Sequence, residues 1–348
     1  MAYSTINKSS DFFNTVTYTG NGSLPRAITG VGHQPDFVWL KDRDTAYNHQ
    51  LYDSVRGTSA GVLYSNTNSA EDSAYQLSSF NSDGFTLGSN LGAVNENNKK
   101  IVSWNWKANG SSTTTNNDGA NTSYISHNST AQFSIIKYTG TGSATNIGHG
   151  LNGTPDCFIT KARTASDWHL WNNSFTANQR IKINSTGGVS TNTSIFPTLP
   201  DATRIYFGTG GDVNQSGIEY ICYAWKNVTG YSKFGPYTGN GLADGVFIYT
   251  GFKPKFVMVK KTSSTSGWYM NDTARDPFNG QYGNDASLFA NTSGVEFTSS
   301  SLNVDMLSNG FKLVTTNSEV NGDTYTYIYM AFASAPLVGS NNVPATSR

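Results

Sequence analysis

An all-β fold of three tandem antiparallel β-sandwich repeats, jelly-roll or lectin-like in topology, is what the sequence predicts. Three observations carry the prediction. A motif recurs three times at fixed spacing, Gly, Asn, Ser and Thr break the apolar runs every few residues, and no stretch shows helical periodicity of convincing length. The 348 residues include 35 Gly, 19 Tyr, 19 Phe and 7 Trp, so the chain has the aromatic area to build cores and is not of a disordered composition. At roughly 100–200 residues per domain, its length fits two or three domains.

The triplication begins with Tyr18-Thr19-Gly20-Asn21-Gly22, which returns as Tyr138-Thr139-Gly140-Thr141-Gly142 and Tyr237-Thr238-Gly239-Asn240-Gly241. Seventeen residues after each tyrosine stands a proline (Pro35, Pro155, Pro254), and six residues later a lysine (Lys41, Lys161, Lys260). The runs between proline and lysine, Phe37 to Leu40, Cys157 to Thr160 and Phe256 to Val259, are apolar on both faces and read as central, doubly covered strands. Downstream, His49 to Asp53 aligns with Trp168 to Asn172 and Trp268 to Asp272. Leu63, Ile183 and Leu288 then open the next equivalent run. Asp83-Gly84 and Asn309-Gly310 predict tight hairpins with positive φ. Each copy closes on a strand with one heavy face: Val102, Trp104 and Trp106; Ile221, Tyr223 and Trp225; Ile328, Met330 and Phe332. That face should point into a core.

These periods divide the chain into an N-terminal arm (residues 1–11), a first repeat (12–107), a polar linker (108–131), a second repeat (132–230), a third repeat (231–334) and a C-terminal tail (335–348). The linker is nearly all Ser, Thr, Asn and Gly and reads as a mobile or surface-hugging loop. The direct junction at Val228-Thr229-Gly230 predicts rigid packing of the second repeat on the third.

Formal net charge is zero, with 23 basic and 23 acidic residues, so no basic excess exists to neutralise nucleic-acid phosphates. No signal peptide and no apolar run of membrane-spanning length is seen, so membrane insertion is not expected. Two cysteines, Cys157 and Cys222, make neither a disulfide framework nor a metal cluster, and their pairing is open. His33, His49, His127, His149 and His169 have no metal-ligand spacing. Gly208 to Asp212 is glycine-rich but lacks the Lys-Ser/Thr and the helix of a phosphate loop, and reads as a hairpin turn. No cofactor and no metal are expected.

Glycan hydrolysis would need two opposed carboxylates, about 5–9.5 Å apart. Candidates are Asp42, Asp44, Glu71, Asp72, Asp272 and Asp276. Asp53 and Asp272 recur with Arg56 and Arg275 three residues on, which predicts a structural Asp–Arg bridge inside the repeat; Phe175 replaces the arginine in copy two. Catalysis is therefore not expected. Trp168 and Trp268 occupy equivalent positions beside a polar loop. Packing in a core or between repeats is the plain reading, and stacking on sugar rings the sharper one.

Five stretches are distinctive: the Tyr-Thr-Gly-Asn-Gly turn and residues 231–241, 251–260, 308–313 and 328–333. They resemble a β-rich repeat of unknown function found in virion proteins of marine bacteriophages such as cyanophages. The resemblance spans residues 12–334 and is strongest in copies one and three; copy two lacks the Asn/Asp-Gly-Phe hairpin and has Cys157 in place of Phe. It implies a virion surface location, capsid or tail, after assembly in the host cytoplasm, and other virion subunits as partners. It assigns no functional residues. The resulting expectation is a non-enzymatic structural protein, a capsid decoration or head-fibre component, homo-oligomeric within the particle, with its three copies around a pseudo-threefold axis. The alternative is a tail-fibre or receptor-binding, lectin-like module for host surface glycans.

Overall fold

Strands that are apolar on both faces take the sheet centres. The computed structural model describes residues 4–73, 77–88, 92–279, 285–299 and 301–338, and within them the chain is all-β, with its strands paired antiparallel in several sheets. Phe37–Asp42 and Cys157–Ala162 are buried at every position. One strand order then recurs. In the first segment it is Phe13–Thr19, Lys100–Trp106, Phe37–Asp42, Gln50–Asp53. In the second it is Phe133–Thr139, Glu219–Trp225, Cys157–Ala162, His169–Asn172, and in the third Ser232–Thr238, Thr326–Pro336, Phe252–Lys261, Trp268–Asp272. The closing strand lies second in each, between the strand carrying the Tyr-Thr-Gly motif and the strand that follows or carries the proline. Pro35 and Pro155 precede their strands, whereas Pro254 lies inside one, at a register shift where its missing N–H breaks no regular ladder.

The heavy faces meet at one centre. Val102, Trp104, Trp106, Ile221, Tyr223, Trp225, Ile328, Met330 and Phe332 belong to a single buried cluster. Trp106, Trp225 and Phe332, level with one another in their sheets, converge there: Trp106 lies 6.4 Å from Trp225 and 5.6 Å from Phe332, ring centre to ring centre. On its opposite face, the first large sheet packs Val38, Leu40, Tyr52 and Ile101 against Ile28, Leu77, Phe85 and Leu87 of a smaller sheet. The third repeats this with Val257, Val259, Tyr327 and Tyr329 against Ile248, Val304, Phe311 and Leu313.

The structure corrects several expectations. Residues 108–131 are not a loose linker: Thr114–Asn116 and Ser123–Asn128 are strands that extend the second sheet beyond Phe133–Thr139. Ile125 is buried there, and the Ser123 and Ser126 hydroxyls donate to the Gly148 and Gly110 carbonyls, so hydrogen bonding does what the sparse apolar content could not. The described part of the N-terminal arm is fastened too, with Ile6 buried and Ser4 Oγ donating to the Thr229 carbonyl. The last strand runs through the predicted boundary at 334 to Pro336, while residues 339–348 lie outside the described residues. Gly211–Asn214 forms one helical turn where a hairpin was expected. Cys157 and Cys222 are both free; Cys222 pairs with Thr160, three residues along from Cys157, so the thiols face opposite sides of the sheet.

Both predicted hairpins form, but their glycines act differently. The two-residue loops are Ser82-Asp83 and Ser308-Asn309, and Gly84 and Gly310 open the returning strands. A Cβ on Gly84 would lie 2.0 Å from the Ile28 carbonyl oxygen, and one on Gly310 2.1 Å from that of Ile248. Close approach of the neighbouring strand excludes a side chain at either position, and Gly84 also has φ +145°. Gly84→Ala is expected to cost about 1–3 kcal/mol, because backbone must move aside. An unchanged denaturation midpoint would contradict this.

Candidate functional site

The chemistry-bearing side chains gather where the three segments meet. Their contacts run in one cyclic order: first on third, second on first, third on second. Trp168 Nε1 donates to the Tyr64 carbonyl at 2.8 Å, and Trp268 Nε1 to the Lys182 carbonyl at 2.9 Å. His49 holds the equivalent place in the first segment. Trp39 Nε1 donates to His49 Nδ1 at 2.9 Å, so the ring proton is on Nε2, which donates to the Phe289 carbonyl at 3.0 Å. Burial, with Lys41 nearby, holds the His49 pKa well below its usual value, so the ring stays neutral. Asn66, Asn184 and Asn291 fix all three residues by accepting their backbone N–H groups. Ile181, not Ile183, is therefore level with Leu63 and Leu288, and the pairings of Ile181 with Leu170 and Leu288 with Met270 agree.

This geometry overturns the sugar-stacking reading of Trp168 and Trp268. They are 1% and 2% exposed, and each indole reaches across to a carbonyl of the next segment. No ring face is open to a glycan.

Two buried clasps lie beside these contacts. In the first, Arg56 binds Asp53 within its own segment (Nε to Oδ2, 2.5 Å) and Glu71 (3.0 Å), while Arg163 of the second segment grips Glu71 with Nε and Nη2 at 2.9 and 2.8 Å. Tyr223 of the second segment donates its hydroxyl to Asp53 at 2.8 Å. In the second clasp, Arg275 binds Asp272 and Glu296, Arg43 of the first segment grips Glu296 with Nε and Nη2, and Trp104 Nε1 donates to Asp272 at 2.9 Å. The Arg275 guanidinium also lies 5.6 Å from the Trp104 ring centre. The predicted Asp–Arg bridges thus exist, and each is extended into a neighbouring segment. In the second clasp two arginines balance two carboxylates; in the first Arg163 Nη1 also meets Glu219 at 2.5 Å, so two arginines face three carboxylates. Burial works against the charge on Arg56, but Asp53, Tyr223 and Glu71 hold its pKa above the ordinary value; Arg163 and Arg56 hold Glu71 low against the same burial penalty.

The other carboxylates also serve the backbone or a neighbour. Asp42 Oδ1 accepts the N–H groups of Asp44 and Thr45, and Asp44 accepts that of Lys100. Asp72 accepts from the Tyr64 hydroxyl, and Asp276 from the N–H of Ala286. Of the candidates, Asp42 and Asp44 do lie together: burial, with Asp44 beside it, raises the Asp42 pKa, but backbone N–H groups occupy both side chains. His33, His49 and His149 bond backbone groups, and burial lowers the pKa of His127. Asp167, His169 and Asp212 do cluster, with ligand atoms within 4.8 Å of one another, but the Lys182 ammonium already pairs with Asp167.

The triplicated motif residues turn out to be fasteners. Tyr18, Tyr138 and Tyr237 donate their hydroxyls to the Val94, Val213 and Val320 carbonyls at 2.7–2.8 Å. The next residues, Asn95, Asn214 and Asn321, are buried and accept the N–H groups of Asn21, Thr141 and Asn240 in the motif turns. Lys41, Lys161 and Lys260 are wholly buried, their ammonium groups held by loop carbonyls such as Thr45, Thr164 and Ser266.

Burial pushes all three lysine pKa values down to about 8. An unfolded lysine titrates near 10.4, so between about pH 8 and pH 10 the folded chain has released protons that the unfolded chain keeps, and stability rises with pH. Above about pH 10 the sign reverses. Burial raises Tyr138 and Tyr237 well above their ordinary values, and the unfolded chain then ionises first. The urea midpoint is expected to rise from about pH 7.5 to about pH 9.5 and to fall beyond about pH 10.5. A midpoint that falls across the first interval would contradict the placement of the lysines.

The family described as Domain of unknown function (DUF7483) matches residues 8–336, which takes in all three segments, both clasps and every motif residue above. The chain belongs to this family. No curated protein and no solved structure matches the chain. The DUF7483 match begins at Lys8, after the Ser4 that bonds the Thr229 carbonyl, and ends where the last strand does, at Pro336.

Proposed function

We propose that this chain is a non-enzymatic structural protein of a bacteriophage particle, carried on the particle surface as a capsid decoration or head-fibre component. It is built as three tandem sandwich repeats around a pseudo-threefold axis. The observation that carries this reading is the cyclic interlock: His49 onto the third segment, Trp168 onto the first, Trp268 onto the second. One chain thereby acquires the symmetry of a trimer, the shape required at a threefold or quasi-threefold position of a shell. The charged groups of the two clasps and the three repeat lysines are spent on internal bonds, which suits a rigid block that docks on other virion subunits. Low charge and abundant Tyr, Asn, Ser and Gly suit broad, wet contacts. The resemblance of residues 12–334 to repeats of phage virion proteins supports the surface of a particle as the place.

A second reading, a tail-fibre or receptor-binding module for host glycans, draws on Phe247 and Tyr249. Both are nearly half-exposed on one face of the strand Phe247–Tyr249. A glycan array with the purified chain separates the readings, since only the second requires binding. For the first, chain added to particles that lack it should bind to a saturating, fixed copy number. Binding no better than to an unrelated particle would contradict it.

A further inference from the structure

The three interfaces share a backbone frame and differ in what reinforces it. Glu71 N–H donates to the Arg163 carbonyl, Glu296 N–H to the Arg43 carbonyl, and Val189 N–H to the Thr262 carbonyl, each at 2.8 Å. At the first two, the same residues supply the side chains of a clasp. At the third, where the third segment meets the second, the equivalents are Thr262 and Val189 and no ion pair joins them; the charged contact there is the Lys260 ammonium, which donates to the Thr186 carbonyl at 2.8 Å.

The rest of the clasp is missing there as well. Asn172 stands where the other segments have Asp53 and Asp272, and Phe175 where they have Arg56 and Arg275. Met330 takes the place of Tyr223 and Trp104, and has no donor to offer a carboxylate. The same interface holds open space. A groove of about 380 Å³ runs between the segments, lined in part by Phe175, Val189, Pro236, Thr262 and Tyr327. Deeper in, a void of about 10 Å³ lies among Asn172, Trp268 and Met330. A void that size has at most the room of one water and leaves its walls short of contacts.

We infer that the interface of the third segment on the second is the seam at which the molecule opens, with Val228-Thr229-Gly230 as the hinge. In place of the rigid junction expected from the sequence, the connection is a pivot: Gly230 has φ +78°, and Ser4 Oγ on the Thr229 carbonyl and Val228 N–H on the Ser232 hydroxyl keep the strand ends together as the segments turn. The third segment stays attached to the first through the Arg43–Glu296–Arg275 clasp and through Phe13, stacked 4.8 Å from Phe332. Opening would expose the groove wall and the Trp268 indole, with the second and third segments pivoting on the first while the Arg163–Glu71 and Arg43–Glu296 clasps hold. This inference concerns the ring itself and stands whether the chain serves on a capsid or a tail.

Native-state hydrogen exchange on the full chain tests it by comparing matched amides. Val189 should exchange at least tenfold faster than Glu71 and Glu296. Ser266, bonded to the Thr186 carbonyl, should exchange at least tenfold faster than its counterpart Ser166, bonded to the Asn68 carbonyl. Equal or slower exchange at Val189 and Ser266 would overturn the inference. A second arm uses the double variant Val189→Glu with Thr262→Arg, which places at the seam the two residue types of the other clasps. Slower exchange at Ser266, by threefold or more, supports the missing clasp as the cause, and faster or unchanged exchange counts against it.

Discussion

Arg275→Ala lowers the stability of the whole chain by about 3–5 kcal/mol, the range expected when one partner of a buried ion pair is removed. Asp272 and Glu296 would both be left in the interior with one fewer cation, and the carbonyl of Met270 would lose its guanidinium donor. Arg56→Ala is expected to match it, because Asp53, Glu71 and the Leu51 carbonyl lose the same three contacts. The check is urea denaturation followed by tryptophan fluorescence. Replacing a whole clasp with apolar residues of similar volume is a different experiment and need not destabilise. The prediction concerns the carboxylates left unpaired. A loss under about 1 kcal/mol for both variants would mean that the clasps behave as surface ion pairs do.

Trp106→Ala is expected to cost a similar 3–5 kcal/mol, by cavity formation at the point where the three heavy faces meet. Its ring touches those of Phe13, Phe37, Trp225, Phe256 and Phe332, so contributions from all three segments are lost at once. The milder change to phenylalanine separates packing from hydrogen bonding. Trp106 Nε1 is buried without a partner, whereas Trp104 Nε1 donates to Asp272. Trp104→Phe should therefore cost more than Trp106→Phe, by about 1.5–3 kcal/mol for a bond to a charged group. Equal costs would argue against the indole–carboxylate bond.

Much of this was legible in the sequence because the repeat holds its spacing. The Tyr, Pro and Lys positions, the heavy faces of the closing strands and the Asp–Arg bridges were all readable from fixed offsets. Burial was less so. Trp168 and Trp268 could be aligned, but a sequence with one chain's worth of period cannot say that the polar loop beside each belongs to the wall of the next segment. The buried asparagines escaped notice because the valines before them lie 76, 75 and 83 residues after the motif tyrosines, so no single spacing exists to find. Arg43 and Arg163 did carry a signal, each two residues after the repeat lysine, with Thr262 in the third copy. Their partners Glu71 and Glu296 come from variable loops, and only the fold brings them together. The strands within residues 108–131 were hidden for a different reason: they are held by hydroxyl-to-carbonyl bonds and one buried isoleucine rather than by alternating apolar residues.

The most direct measurement is cryo-electron microscopy of intact particles beside particles lacking this protein. The account predicts a three-lobed density on the capsid surface, centred on a threefold or quasi-threefold position, present in the first and missing from the second. Particles with identical surfaces in both preparations, or a difference confined to the tail tip, would contradict it.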